Sequence, residues 1–418
     1  MKKVKNGVVI SHPGHVLVTY QAVLALQEAG LLDYFETGFY YKNSRLSRFL
    51  LSLFPQRFAT QLLRQLLRRT HEGLVSQQVK THPIAEIIFV LFARLPILNR
   101  FAEKVMRQRN EYFDTVVGQC VRRLQPCAVI GYDSSALKTF EAAREIGTLC
   151  ILDQVIGHIQ TGEKILSEER LLHPEFADSI PAIGDDCVIK RCNMEAMVAD
   201  WIMVGSEYVR DTLINNGVLA SKILLCQYGV DTERFRPADK ADNCLFQILF
   251  VGQLSQRKGI KYLLEAFKEL HLDDAELVLM GGVAGSGDGL KSYESLFRHI
   301  KNVPYSELPQ YYQSADIFVY PSLHEGSVLA IYEALASGLP VITTPNSGSV
   351  VRDGIEGFIV PIRDIDALKE KILLLYQNKN LRTQMSLQAR KRAESFTWQA
   401  YHQRLAALVQ SIIQENKA

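Results

Sequence analysis

Short apolar runs recur along the chain, each closed by glycine, proline or a polar turn and followed by a stretch with helical spacing. The first, "GVVISHPGH", breaks at Pro13-Gly14, and a helical pattern follows it to Gly30. "CAVIGYD", "SSALKTFEAAREIG" and "TLCILDQ" repeat the arrangement, with Ser134 or Ser135 placed to cap that helix and Gly147 to end it. "DWIMVGSEYVRDTLINNG" and "KILLCQYG" continue the series. Buried-type strands alternating with helices predict parallel βαβ units in a doubly wound sheet.

The polar, aperiodic stretch "GVDTERFRPADKADN" reads as an inter-domain linker, after which the alternation restarts. "FQILFVGQL", a helix near 260–270, "ELVLMGG", "DIFVYPS", a helix opening at Ser327, "PVITT" and "GFIVP" predict a second α/β sheet. The expected architecture is α/β, with one Rossmann-like domain over 1–235 and a second over 236–396. A closing helix at 397–418 is expected to pack back on the first. Two doubly wound domains facing across a cleft would bind ligands at the carboxyl ends of their strands. The glycine-rich "MGGVAGSGDG" reads as a flexible surface loop.

A length of 418 residues exceeds one ordinary core, in keeping with two domains. The net charge of +2 gives no global reason to expect nucleic acid. The opening segment lacks the pattern of a secretory leader, and the longest apolar candidate, "IAEIIFVLFARLPIL", is interrupted by Glu86 and Arg94. The seven cysteines are odd in number and form no Cys-x-x-Cys pair, which points to a reducing cytoplasm without disulfides or a zinc site. One segment differs in kind. Between Thr37 and His71 there is no acid, but there are Lys42, Arg45, Arg48, Arg57, Arg64, Arg68 and Arg69, interleaved with leucine and phenylalanine. Residues 42–70 therefore read either as a surface for anionic membrane, giving a peripheral protein, or as a solvated face whose leucines pack inward.

The candidate chemistry starts in "YPSLHEGSVLAIYEALASGLPVI". Leaving a strand for a helix at Gly326-Ser327 would expose the N–H groups of Ser327, Val328 and Leu329 to an anion, with Gly326 allowing close approach. Glu325 and Glu333 are eight residues apart, about 12 Å in a helix. That span matches the distance between the sugar and the ribose of a nucleotide-sugar, whose hydroxyls carboxylates bind well. The plainer reading makes Glu325 a turn residue and Glu333 a solvated helical glutamate. "FVGQLSQRKGI" shifts the balance, because Arg257 and Lys258 stand just past a strand end, where two cations can neutralise a departing pyrophosphate.

Together with "VPYSELPQYYQSADIFVYPSLHEG", "EALASGLPVITT" and "VRDGIEGFIVPIRDIDAL", these stretches resemble the family 4 glycosyltransferases, retaining enzymes of the two-Rossmann GT-B type. The resemblance covers roughly residues 195–400. It implies a nucleoside-diphosphate sugar donor, a hydroxyl acceptor such as a lipid-linked or polysaccharide precursor, and no metal or other cofactor. By that likeness Arg257 and Lys258 hold the diphosphate, Glu325 the sugar and Glu333 the ribose. Gly326, Ser327, Val328 and Leu329 would supply backbone donors, Gly252 would lie on the donor side, and base contacts would fall near Val303 to Ser306.

The first half departs from the family pattern. "SHPGHV" stands where a glycine-rich loop is usual, so Gly14 is the residue expected to bring backbone to the donor phosphates. His12 and His15 read either as acceptor-side groups or as buried histidines. After "TLCILD", where family members carry a histidine, this chain has Asp153 and Gln154, with His158 further on; Asp153 or His158 is expected to touch the sugar or acceptor. The rival readings are another GT-B chemistry (an epimerase-hydrolase or a phosphorylase) and a catalytically idle nucleotide-sugar sensor or scaffold.

Overall fold

The computed structural model describes residues 7–14, 16–42, 56, 63, 66, 69–94, 102–181, 184, 186–238 and 245–416. The apolar runs become strands. β1 (Val8–His12), β2 (Leu32–Thr37), β3 (Val79–Thr81), β4 (Ala128–Tyr132), β5 (Leu149–Gln154), β6 (Trp201–Val204) and β7 (Ile223–Leu225) form one sheet. Its order is β3-β2-β1-β4-β5-β6-β7. β8 (Phe246–Val251), β9 (Ala275–Met280), β10 (Phe297–Ile300), β11 (Ile317–Tyr320), β12 (Val341–Thr343) and β13 (Gly357–Ile359) form the second, in the order β10-β9-β8-β11-β12-β13. β1 pairs in parallel with β2 and β4, and the pairings of the second sheet are all parallel. Strands covered on both faces need continuous apolar sequence, and Val9, Ile130, Ile248 and Val319 are indeed fully buried. Each sheet reverses direction once, between β1 and β4 and between β8 and β11. Loops at such a switch point splay apart and leave room for a ligand.

The chain divides into two compact units: 1–153 with 190–203 and 402–418, and 154–189 with 204–401. In the first, His402 of the final helix, Trp398–Glu415, pairs with Glu28 and with Gln21, each at 2.8 Å. In the second, residues 154–189 fold with the part of the chain that carries β8 to β13.

Local chemistry differs from expectation at three places. Neither Ser134 nor Ser135 caps the helix Leu137–Arg144. Instead Glu195, from the helix Asp186–Val198, accepts the N–H groups of Ser134, Ala136 and Leu137, while Asp114 accepts those of Lys138 and Thr139. Arg191 bridges the two carboxylates. A fixed anion at the helix start does what a serine hydroxyl would have done, with the helix dipole in its favour.

The stretch expected as a linker is built into the second unit as far as residue 238. Phe235 is fully buried, edge-on to Tyr312 at 5.5 Å, and Arg390 Nη1 donates to the carbonyls of Thr232, Phe235 and Ala336, each at 3.0 Å. One guanidinium thus satisfies carbonyls that secondary structure would otherwise have paired. The "MGGVAGSGDG" segment is docked as well. A Cβ on Gly285 (φ +66°) would lie 2.6 Å from the Asp178 carbonyl oxygen, and the Ser286 N–H donates to Asp178 Oδ2 at 2.6 Å. Gly285 and Gly289 there serve close approach to a neighbouring carbonyl rather than flexibility.

Among the described residues no helix is long and apolar enough to cross a membrane. Of the basic segment, Lys42 donates to the Val79 carbonyl at 2.7 Å, and Arg69 pairs at 2.7 Å with buried Glu86. Those two cations are absorbed by the first unit. Arg45, Arg48, Arg57, Arg64 and Arg68 lie outside the described residues.

Candidate functional site

The second unit gathers its chemistry where β8 and β11 end. After β8 the chain passes Gly252 and makes a single tight turn, Gln256–Lys258, closed by Gly259 in the left-handed conformation (φ +70°). A Cβ on Gly259 would stand 2.0 Å from the Pro321 carbonyl oxygen, so glycine is required where this turn meets the loop after β11. The two loops are joined by the Leu323 N–H and the Ser322 hydroxyl, which both donate to the Arg257 carbonyl, at 3.0 and 3.2 Å.

That junction aims two cations at one carboxylate. Arg257 Nη1 lies 2.8 Å from Glu325 Oε2 and donates to the His324 carbonyl at 3.0 Å. Lys258 Nζ donates to Glu325 Oε1 at 2.7 Å and to the Tyr320 hydroxyl. Tyr320 is fixed by stacking on Phe250, centroids 5.0 Å apart and rings 7° from parallel. Burial acts to push the Glu325 carboxyl up, but the Lys258 and Arg257 charges outweigh it and hold the group below the usual carboxylate range. Glu325 is therefore an ionised, mostly buried carboxylate.

The backbone around Glu325 differs from the sequence reading. The helix runs Leu329–Ala336, with Val328 extended before it, so the eight residues from Glu325 to Glu333 are not helical throughout and the 12 Å span does not apply. The Val328 N–H is used by the Ser347 carbonyl at 3.3 Å, and the Ser327 hydroxyl meets that of Tyr332 at 3.1 Å. Leu329 is left as the first helical residue, with no acceptor within its own helix. Glycine is required at 326 by the chain itself: a Cβ there would fall 1.7 Å from the Val155 carbonyl oxygen.

Glu333 is not a solvated glutamate. It is buried, and it accepts from the hydroxyls of Tyr312 at 2.7 Å and Tyr305 at 3.2 Å. Burial pushes its carboxyl up to about 7, against the lowering effect of the two tyrosines and of Arg234. A cavity of about 400 Å³ opens past the ends of β8 and β9. Gly252, Gly281 and Gly282 line it together with Val251, Gln253, Met280, Asn302, Val303 and Leu308.

His324 and His158 also belong to this unit. His324 donates to or accepts from the Tyr208 hydroxyl at 2.7 Å, and its ring fills the space that Cβ atoms on Gly157 and Gly162 would need. Burial and the Arg257 charge push it down to about 4, leaving a neutral ring. His158 is buried and begins the helix Ile159–Leu172, its Nδ1 accepting from the Gln160 N–H at 3.3 Å. The preceding residue, Gly157, donates its N–H to the Glu325 carbonyl at 3.1 Å, which brings His158 into the neighbourhood of Glu325.

The remaining expected residues belong to the first unit, at its own switch point. His12 lies edge-on to Tyr132, centroids 4.7 Å apart, and its Nδ1 accepts the Gly14 N–H at 3.0 Å. The amide expected to face phosphate is thus engaged. Asp153 is buried at the end of β5, and burial pushes it up to about 7 despite its bond with Tyr132. His15 lies outside the described residues. Among those described, Glu36, His82 and Cys120 offer ligand atoms within 4.8 Å of one another, the one grouping able to hold a metal; His82 already pairs with Glu36 at 2.8 Å. Sequence reasoning passed over Tyr320, His324, Tyr305 and Tyr312. Tyr305 sat within the stretch marked for base contacts, and His324 adjoined Glu325, but neither carries a pattern of its own.

Residues 231–392 match the family model described as glycosyl transferases group 1. The O-antigen chain mannosyltransferase B of Escherichia coli is 30% identical over 160 residues, 36% of this chain and 42% of that relative. The putative colanic acid biosynthesis glycosyltransferase WcaL of Salmonella typhimurium is 27% identical over 326 residues, 73% of this chain and 75% of its own length. The chain thus spans less than half of the first relative and three quarters of the second. Among solved structures, Anabaena HepE in complex with UDP and glucose superposes with a TM-score of 0.62 at 14% identity, covering 97% of this chain and 99% of HepE. With the two strand orders, that likeness establishes a two-domain Rossmann-like GT-B fold.

Proposed function

We propose that the protein is a retaining glycosyltransferase that moves a sugar from a nucleoside-diphosphate sugar to a hydroxyl acceptor, a reading supported by the match of residues 231–392 to the glycosyl transferases group 1 model. The observation that carries this reading is Glu325 held between Arg257 and Lys258 at the switch point of the second sheet. The bound diphosphate competes for those two cations. The carboxylate is thereby released toward the sugar hydroxyls, and the cations face the oxygen on which charge grows as the sugar departs. The cavity past β8 and β9 takes the base and Glu333 the ribose diol. Two side-chain cations supply the charge that a metal supplies in other transferases, so turnover is expected to survive EDTA.

A thermal-shift screen with UDP-, GDP- and ADP-sugars, followed by turnover with a panel of hydroxyl acceptors, tests the proposal. Stabilisation by one donor and transfer from it support the reading. Stabilisation without transfer or donor hydrolysis turns it into a nucleotide-sugar sensor, and no stabilisation by any donor removes it.

The Glu333 carboxyl adds a prediction. At about 7 it is half protonated near neutrality, yet only the ionised form accepts both ribose hydroxyls. Donor affinity should therefore rise with pH through about 7, since binding releases a proton below that point. The intact sugar nucleotide is the right probe, because its diphosphate diester does not titrate there. Calorimetric Kd values at a series of pH should show the rise, and Glu333→Gln should abolish it; an unchanged slope in that variant would count against the ribose role.

A further inference from the structure

A buried carboxylate that this chemistry does not use sits behind the turn carrying the two cations. Glu169, in the helix Ile159–Leu172, is fully buried within the second unit. Its Oε2 accepts from Gln256 Nε2 at 2.9 Å, and its Oε1 from the Tyr262 hydroxyl at 2.9 Å and Arg363 Nε at 2.5 Å. Gln256 is fully buried too. Its side-chain oxygen accepts the Lys261 N–H at 3.1 Å, and its own N–H donates to Ser179 Oγ at 3.0 Å. The next two residues are Arg257 and Lys258.

Arg363 completes the arrangement from the other side. Its Nη1 donates to Glu168 at 3.0 Å and its Nη2 to the Ile165 carbonyl at 3.1 Å. Its backbone is left-handed (φ +66°), which a non-glycine residue keeps only where its surroundings over-determine it. A buried ion pair of this kind adds little net stability, because desolvation offsets the attraction. What it does supply is fixed geometry.

We propose that Glu169 and Gln256 are positioning residues that hold the Gln256–Lys258 turn so that both cations address the donor diphosphate. The inference rests on the donor reading above. Without the Gln256 side-chain bonds, the turn keeps its backbone bonds to Ser179 Oγ and to Ser255, and those of its Arg257 carbonyl to Ser322 and Leu323, but it loses its tie to the Glu169 carboxylate and to the Lys261 N–H. Misplacement of a charged group by about 1 Å is enough to cost up to about 100-fold.

The test uses Glu169→Gln and Gln256→Met in the full chain. Calorimetry measures the Kd of whichever of UDP-glucose, GDP-mannose or ADP-glucose stabilises the wild type, and of the matching free nucleoside. Sugar-nucleotide affinity should fall about 10- to 100-fold in both variants with nucleoside affinity unchanged, because only the diphosphate meets the displaced cations. A purely structural role would weaken both ligands alike or neither, and either result overturns the proposal. Gln256→Met keeps the side-chain bulk, so it decides the matter if Glu169→Gln fails to fold. A wild type that binds no sugar nucleotide defeats the donor reading and this inference with it; a wild type that binds while both variants match it defeats this inference alone.

Discussion

Replacing Lys258 with alanine is expected to lower turnover about 100- to 1,000-fold at saturating donor, the usual loss when one preorganised charge facing a developing anion is removed. The side chain is committed to that position. Its ammonium group spans Tyr320 and Glu325, and a Cβ on Gly252 would come within 3.5 Å of its Cδ, so it lies along the end of β8. Arg257 cannot replace it, because its guanidinium is already tied to the His324 carbonyl. Loss of Lys258 also leaves Glu325 with one cation in a buried setting. The opposing effect of burial then gains weight, the carboxyl pKa climbs, and the acid limb of the pH–rate profile should move to higher pH. Steady-state kinetics across pH read both effects. Near-normal kcat in Lys258→Ala would contradict the phosphate role.

The second large effect concerns a residue without a side chain. Gly326→Ala is expected to destabilise the protein by about 3 kcal/mol, at the upper end of overpacking costs. The new methyl would meet the Val155 carbonyl oxygen at 1.7 Å, and the obstacle is backbone that cannot rotate away. The Ser206 hydroxyl also donates to the Gly326 carbonyl at 2.5 Å, so the strand of contacts has nowhere to shift. Gly282→Ala is the control, since its nearest neighbour, the Asn302 side-chain amide, would stay 3.8 Å away. It should alter stability by no more than about 0.5 kcal/mol. Denaturant unfolding of the two variants makes the comparison. Equal stability would mean that the segment after β11 and residues 155–157 do not pack as described.

What could be read from the sequence was local. The strands, their alternation with helices and the placing of Arg257, Lys258 and Glu325 follow from runs and turns a few residues long. Those are signals that backbone physics writes directly into the chain. What escaped depends on partners far apart. The ribose role and the plainer solvated reading of Glu333 both stay open in the sequence, because nothing near it announces that Tyr305 and Tyr312 close over it. The chain's own need for glycine at 326 is hidden because Val155 lies far upstream. Gln256 reads as an ordinary loop residue until its bond to Glu169, 87 positions away, is seen. The polar stretch 229–243 reads as a linker because the buried phenylalanine and the distant arginine that tie down its residues up to 238 leave no periodic trace.

The capping of the Leu137–Arg144 helix carries a consequence for assembly. Glu195 reaches the Ala136 amide across 59 positions, and Asp114 reaches Thr139 across 25. Closing a span of that length costs chain entropy before any contact rewards it. Asp114 upstream serves the Lys138 and Thr139 amides, but those of Ser134, Ala136 and Leu137 find their protein acceptor only when the later helix that carries Glu195 docks. In a refolding chain those amides should be among the last in their unit to gain protection from solvent exchange, and the Arg191 bridge marks the moment at which they do.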